Sequence, residues 1–283
     1  MSTVRELDVA AGGIVSPALE AGPADATEAV VFVHGNPGSS RDWTALLARA
    51  GELGRAVAVD MPGFGAAPVP AGFDYQVGSY AGFLQEALAR LGIERAHLVL
   101  HDFGGQFGLS WGLEHPDAWR SVVLLNVGVM PGYRWHSLAK RWRTPVLGEL
   151  VQAWIPRWAW RRAMAAANPK GLPPAFVDKM YDDYDRTTRR TVLALYRATP
   201  DPGRAAAELG PALAALHKPA LVVWGAKDPY LSADYAERQR DFFDVREVVL
   251  LPESGHWAFQ DDPDGVTAAV LPFLAAQLAR ATA

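Results

Sequence analysis

The feature that most narrows the folds open to this chain is a series of short, apolar, β-branched runs set apart by longer helical patterns. The runs are "AVVFVHG" (29–35), "AVAVD" (56–60), "AHLVLHD" (96–102), "SVVLLN" (121–126), "ALVVWG" (220–225) and "EVVLLP" (247–252). Each is strand-length and almost continuously apolar, as expected of strands buried on both faces. Between them, "SYAGFLQEALARLG" (79–92) and "GGQFGLSWGLEHP" (104–116) carry apolar residues at helical spacing, and the chain closes on a helical pattern from Asp264. Strands alternating with helices predict an α/β protein, a parallel sheet covered on both sides. With 283 residues, half of them hydrophobic, the chain can bury one large core.

The rhythm breaks between about 128 and 210, where helical patterns rich in Trp, Tyr and Pro replace strands. An all-helical insertion between two strands would lie at one end of the sheet, as a cap over the strand ends. The expected division is a core from 1–128 and 211–283 with a helical cap at 129–210.

Sites in such sheets form outside the carboxyl ends of the strands, and four of those ends carry chemistry: His34-Gly35-Asn36-Pro37, His101-Asp102-Phe103-Gly104-Gly105, Gly225-Ala226-Lys227-Asp228 and Glu253-Ser254-Gly255-His256. Asp102 ends an apolar strand and is followed, after Phe103, by paired glycines. A sharp strand-to-helix turn that lifts a nucleophile above the sheet needs small residues there, because the helix must start close to the strand. The helix N-terminus would also keep the Asp102 carboxylate ionised. Asp228 and His256 follow in the chain order nucleophile, acid, histidine. In that order His256 takes a proton from water and Asp228 holds its tautomer.

By "FVHGNPGSSRDW", "VDMPGFGAAP", "HDFGGQFG", "WGAKDPY" and "SGHWAFQDDP", which occur in the family's order, the chain resembles the α/β-hydrolase superfamily. The branch it is most similar to has an aspartate nucleophile and contains epoxide hydrolases and haloalkane dehalogenases. The resemblance implies the α/β-hydrolase fold, a mostly parallel sheet with helices on both faces and an all-helical cap after the sixth strand. It also implies a mechanism in which Asp102 forms an alkyl-enzyme ester that His256-activated water hydrolyses. The oxyanion of the second step would be held by the backbone N–H groups of Asn36 and Phe103.

The leaving group separates the two activities. "LALYRATPDP" resembles the Tyr-Arg segment of epoxide hydrolases, which makes Tyr196 the proposed leaving-group acid and epoxide hydrolysis to a vicinal diol the leading expectation. Asn36 fits the dehalogenase pattern, yet Phe103 stands where dehalogenases usually place a halide-binding Trp, and a phenyl ring has no N–H to offer. Trp154, in the segment where a first catalytic tyrosine is sought, could serve either leaving group through its indole N–H. Trp154, His34, Trp257 and Tyr133 are the candidate substrate contacts, with Tyr181 and Tyr184 in reserve. His34 and His101 also have a structural reading, packing and hydrogen bonding around their loops. A ligand-binding relative without turnover is the remote alternative, against which the intact Asp102, Asp228 and His256 set argues.

Several classes fall away. A serine esterase does not fit, since Ser110 lies inside a helix. "GNPGSSRDW" lacks the G-K-[ST] ending of a P-loop and "GFGAAP" the third glycine of a dinucleotide site. The chain has no cysteine, its histidines show no ligand spacing, and its net charge is −4. No metal, no cofactor and no nucleic-acid partner is therefore expected. No run reaches a membrane span, and "MSTVRELDVAAGG" has no leader pattern, so a soluble cytoplasmic protein is expected. The basic, aromatic stretch "YRWHSLAKRWR" reads as a solvated outer face of the cap. The partners expected are a small molecule with an apolar body and water; oligomeric state is left open.

Overall fold

The computed structural model describes residues 2–281. Its eight-stranded sheet has the order β1-β2-β4-β3-β5-β6-β7-β8, formed by β1 (Arg5–Ala11), β2 (Ile14–Ala21), β3 (Glu28–Val33), β4 (Arg55–Val59), β5 (Arg95–His101), β6 (Trp119–Leu125), β7 (Pro219–Gly225) and β8 (Asp244–Leu251). From β4 to β8 every pairing is parallel. These six strands correspond to the six apolar runs, and β4 is buried along its whole length.

The sequence reading missed β1 and β2. They pair antiparallel, and β2 continues antiparallel onto β4. β1 is an edge strand with exposed alternate residues, and β2 contains Pro17, so neither shows the continuous apolar run of a central strand.

Twelve helices follow in chain order among the described residues. In the core are α1 (Thr44–Ala50), α2 (Val77–Arg90) and α3 (Phe103–Glu114); α1 packs with α12 (Pro263–Ala281), and α2 with α3. Short helices α10 (Asp234–Arg238) and α11 (Ala258–Asp261) flank β8. The final two residues of the closing helical pattern lie outside the described residues. Between β6 and β7 the chain is helical, through α4 (Ser137–Arg143), α5 (Leu147–Ala153), α6 (Arg157–Ala167), α7 (Pro174–Asp183), α8 (Arg186–Ala198) and α9 (Pro202–Ala214). That insertion follows the sixth strand, and α9 runs past position 210 to Ala214.

Among the ties that join the insertion to the core are two to the loops at the strand ends. Lys179 of α7 reaches Ser39 Oγ at 2.7 Å and the buried Asp42 at 3.1 Å. The α6 terminus holds the loop after β8: Ala167 O accepts from the His256 N–H, and Asn168 Oδ1 from the Trp257 N–H at 2.8 Å.

Candidate active site

β5 delivers Asp102 to the apex of the sheet. Its φ of 51° and ψ of −129° are unusual for a residue with a side chain, and the turn persists because its surroundings are tight. A Cβ on Gly104 would collide with the Val33 carbonyl, one on Gly105 with Val127, and one on Gly35 with the Asp102 side chain itself. Small residues thus let α3 start directly against the sheet. The Asp102 side chain does not cap α3, so its carboxylate is free to face outward.

Three residues converge there. Asp102 Oδ1 accepts the Asn36 backbone N–H at 2.7 Å, while Oδ2 stands 3.5 Å from His256 Nε2. His256 Nδ1 donates to Asp228 Oδ2 at 2.6 Å. Asp228 is fixed in turn: Oδ1 accepts the backbone N–H groups of Tyr230 and Leu231, and Oδ2 also accepts Asn126 Nδ2 at 2.8 Å. Burial alone would lower the His256 pKa, but the Asp228 and Asp102 carboxylates overcome it and hold the imidazole well above its usual range. Burial would likewise raise Asp102, yet the His256 side chain, with a smaller part from the Asn36 N–H, holds it below the ordinary carboxylate value.

His101 and His34 are not part of this relay. His101 Nε2 donates to the His256 carbonyl, and burial drives its pKa to about 3, so it stays neutral. His34 Nε2 accepts the Met61 N–H and its Nδ1 meets the Gly35 carbonyl. It is buried and lies off the cavity lining, so its expected contact with substrate is replaced by a role in loop structure.

A cavity of about 270 Å³ lies over Asp102. Asn36, Phe103, Tyr133, Tyr196, His256 and Trp257 all line it, as do Trp142 and Trp160 of the insertion. Tyr196 is buried, packed edge-on to Phe103 at 5.0 Å and to Trp142 at 5.1 Å. Burial and the Asp102 charge hold its hydroxyl protonated, well above the ordinary tyrosine pKa. The hydroxyl stands beside the Asn36 amide, whose Nδ2 and Oδ1 have no hydrogen-bond partner among the described residues. The Trp142 indole N–H is likewise buried without a partner.

The reserve tyrosines separate. Tyr184 lines the cavity but shares a hydrogen bond with Gln152, and Tyr181 donates to the Ile155 carbonyl away from it. Trp154 is a correction. It is 77 % exposed on the outer side of the insertion and absent from the cavity lining, because α5 ends at Ala153 and Trp154 continues in extended backbone.

Sequence reasoning missed Asn126, Tyr230 and His136. Tyr230 stands edge-on to His256 at 5.1 Å. His136 lines the cavity, and its Nδ1 accepts the Ala139 N–H at 3.2 Å. Burial lowers its pKa to about 4, so the neutral ring carries its proton on Nε2. Nothing in the spacing of a lone histidine pointed there. Among the described residues no cluster of three His, Asp or Glu side chains is arranged to hold a metal.

The family model for the alpha/beta hydrolase fold matches residues 28–263. The chain is 28% identical over 251 residues to haloalkane dehalogenase 2 of Mycobacterium tuberculosis, covering 86% of each chain. It is 27% identical over 299 residues to the cis-3-alkyl-4-alkyloxetan-2-one decarboxylase of Xanthomonas campestris pv. campestris, covering 96% of each. The crystal structure of haloalkane dehalogenase DbeA from Bradyrhizobium elkani superposes with a TM-score of 0.82 at 22% identity, over 98% of this chain and all of that one. A mostly parallel sheet interrupted after its sixth strand, a strained turn at Asp102 and a family match over most of the length agree: the chain belongs to the alpha/beta hydrolase fold family.

Proposed function

We propose that the protein is a hydrolase that opens an epoxide to a vicinal diol through an ester on Asp102. The observation that carries this reading is the Tyr196 hydroxyl, held protonated in the cavity roof beside Asn36 and within the field of Asp102. An epoxide C–O bond breaks readily only if the departing oxygen is protonated or strongly hydrogen-bonded, and Tyr196 is the proton donor. Asp102 attacks the ring carbon, the C–O bond breaks, and the oxygen takes the Tyr196 proton, leaving a hydroxyalkyl ester.

Ester formation then switches His256. In the resting site two carboxylates favour the imidazolium; the ester removes one of those charges. His256 is left with Asp228 alone, gives up its proton, which restores the Tyr196 hydroxyl, and becomes the base that deprotonates water. Hydroxide adds to the ester carbonyl, whose oxyanion meets the N–H groups of Asn36 and Phe103. The Asn36 N–H already lies 2.7 Å from Asp102 Oδ1, and the Phe103 N–H opens α3, where the first turn supplies no acceptor. Collapse breaks the ester C–O bond, the departing oxygen takes the proton of the added hydroxyl, and the diol leaves with Asp102 ionised and His256 protonated as at rest.

A second reading, hydrolytic dehalogenation of an alkyl halide, is favoured by the unpartnered Asn36 amide, a ready halide donor, and by the activity named for the mycobacterial relative. The Xanthomonas relative is named for an oxetan-2-one, another strained oxygen ring. The division into core and cap belongs to the same proposal: the insertion roofs the site and selects substrates with an apolar body.

The test is the intact mass of a His256→Ala variant after exposure to epoxides and bromoalkanes of matched size. An adduct of one whole epoxide is the expected outcome. An adduct of the alkyl group without halogen supports the second reading, and no adduct on Asp102 with either set overturns both.

A further inference from the structure

Five of the eight exposed large apolar side chains among the described residues fall between positions 146 and 158. They are Val146 (70 % exposed), Leu147, Leu150 (67 %), Trp154 and Trp158 (69 %). Leu150 lies inside α5 and Trp158 at the start of α6, while Val146 precedes α5 and Trp154 follows it in extended backbone, and all four side chains are turned to solvent. The other side of the same stretch points inward: Val151 and Ile155 line the catalytic cavity, and Gly148 packs against the Trp142 carbonyl of α4. The wall over Asp102 is therefore apolar on both of its faces. Concentrated exposure of this kind marks a contact surface, since scattered single residues are the norm.

The charge along the same stretch of chain says what covers it. Between 129 and 167 the chain holds seven Lys or Arg and a single acid, Glu149, although the whole chain carries −4. Arg157 and Arg161 are engaged by Asp178 and Asp182, and Glu149 by Arg197. Arg134, Lys140, Arg141 and Arg162 have no acidic partner among the described residues, and the last three are exposed on α4 and α6. Two copies meeting through this face about a two-fold axis would bring like charges together. An anionic lipid surface complements it, with indole rings seated at the headgroup level and cations among the phosphates.

We infer that the α4–α6 face docks on anionic bilayers, laying the outer wall of the catalytic cavity against the phase in which an apolar substrate dissolves. The substrate clause rests on the function proposed above; the docking does not.

The test is flotation with vesicles of phosphatidylcholine alone and of phosphatidylcholine mixed with phosphatidylglycerol, needing no turnover. The expected result is binding to the anionic vesicles only, weakened by high salt. Arg141→Glu/Arg162→Glu should weaken it by more than an order of magnitude, at roughly fivefold per charge removed. Leu150→Ser/Trp158→Ser should abolish it while leaving melting temperature and soluble-substrate turnover unchanged. Absence of vesicle binding, or binding that both variants retain, overturns the proposal. So does a concentration-dependent dimer that Leu150→Ser/Trp158→Ser dissociates, which would make the face a contact between copies.

Discussion

Asp228 Oδ2 accepts two hydrogen bonds, from His256 Nδ1 at 2.6 Å and from Asn126 Nδ2 at 2.8 Å. Asn126 sits just beyond β6 with φ of 47°, and its Oδ1 accepts the Gly225 N–H at 3.0 Å. One amide therefore ties the end of β6 to the turn that carries the acid. Asn126→Ala leaves a buried carboxylate short of a donor and an N–H short of an acceptor, each worth about 1–3 kcal/mol. We expect stability to fall by about 2 kcal/mol and ester hydrolysis by about tenfold, the change for 1.4 kcal/mol in a barrier. Ester formation, read by single-turnover kinetics, should change far less, because Asp102 does not touch Asn126.

Why Asp102 and His256 were legible and Asn126 was not follows from their surroundings. Asp102 breaks an apolar strand and is followed by two glycines whose Cβ positions are filled by Val33 and Val127. His256 follows Gly255 in a strand-end motif. Asn126 also ends a strand, but a single amide there has many ordinary uses. The β1–β2 hairpin hid because one edge of it faces solvent and its pattern lacks a continuous apolar run. Trp154 was misplaced for a related reason: α5 spans only Leu147–Ala153, too short for periodicity to say which way its end faces.

The paired charges of the site set a pH window for stability. The folded-state pKa of Asp102 is depressed, so its contribution is complete above the unfolded carboxylate value and is lost as pH falls through the folded one. His256 is raised from 6.5 to about 10, so its contribution is complete below 6.5 and is lost as pH rises toward 10. Unfolding free energy from urea titrations should therefore be highest between about pH 4 and 6.5 and decline on the alkaline side. His256→Ala should flatten that alkaline decline; an unchanged slope would place its origin elsewhere. In turnover the direction reverses on the acid side, because a protonated imidazole cannot accept a proton from water.

Lys179 makes a prediction about how the insertion is held. Its Nζ bonds Ser39, Asp42 and Asp183, and Asp42 is buried, its carboxyl raised by burial against the lowering effect of Lys179. Lys179→Met strands the Asp42 charge. The Lys179 side chain is 26% exposed, so the loss should be about 2–3 kcal/mol, at the low end for breaking a buried pair. Lys179→Met/Asp42→Asn should recover part of it, which urea titrations of the two variants will measure.

Phe103 and Tyr196 together distinguish the leaving groups. Phe103 is 3 % exposed, stacked on Trp135 at 6.0 Å and met edge-on by Tyr196. Tyr196→Phe removes the proton donor while keeping the ring, and should lower epoxide opening by about 10²–10⁴. A departing halide needs no proton, so reaction with bromoalkanes should be little changed. Phe103→Trp keeps the backbone N–H of the oxyanion hole and adds an indole N–H next to Asp102. Overpacking should destabilise the protein by about 1–3 kcal/mol, while halide release, followed by ion chromatography, should rise. Tyr196 leaves the mechanism if Tyr196→Phe opens epoxides at the wild-type rate, and Phe103 ceases to be the discriminating position if the wild type already releases bromide as fast as Phe103→Trp.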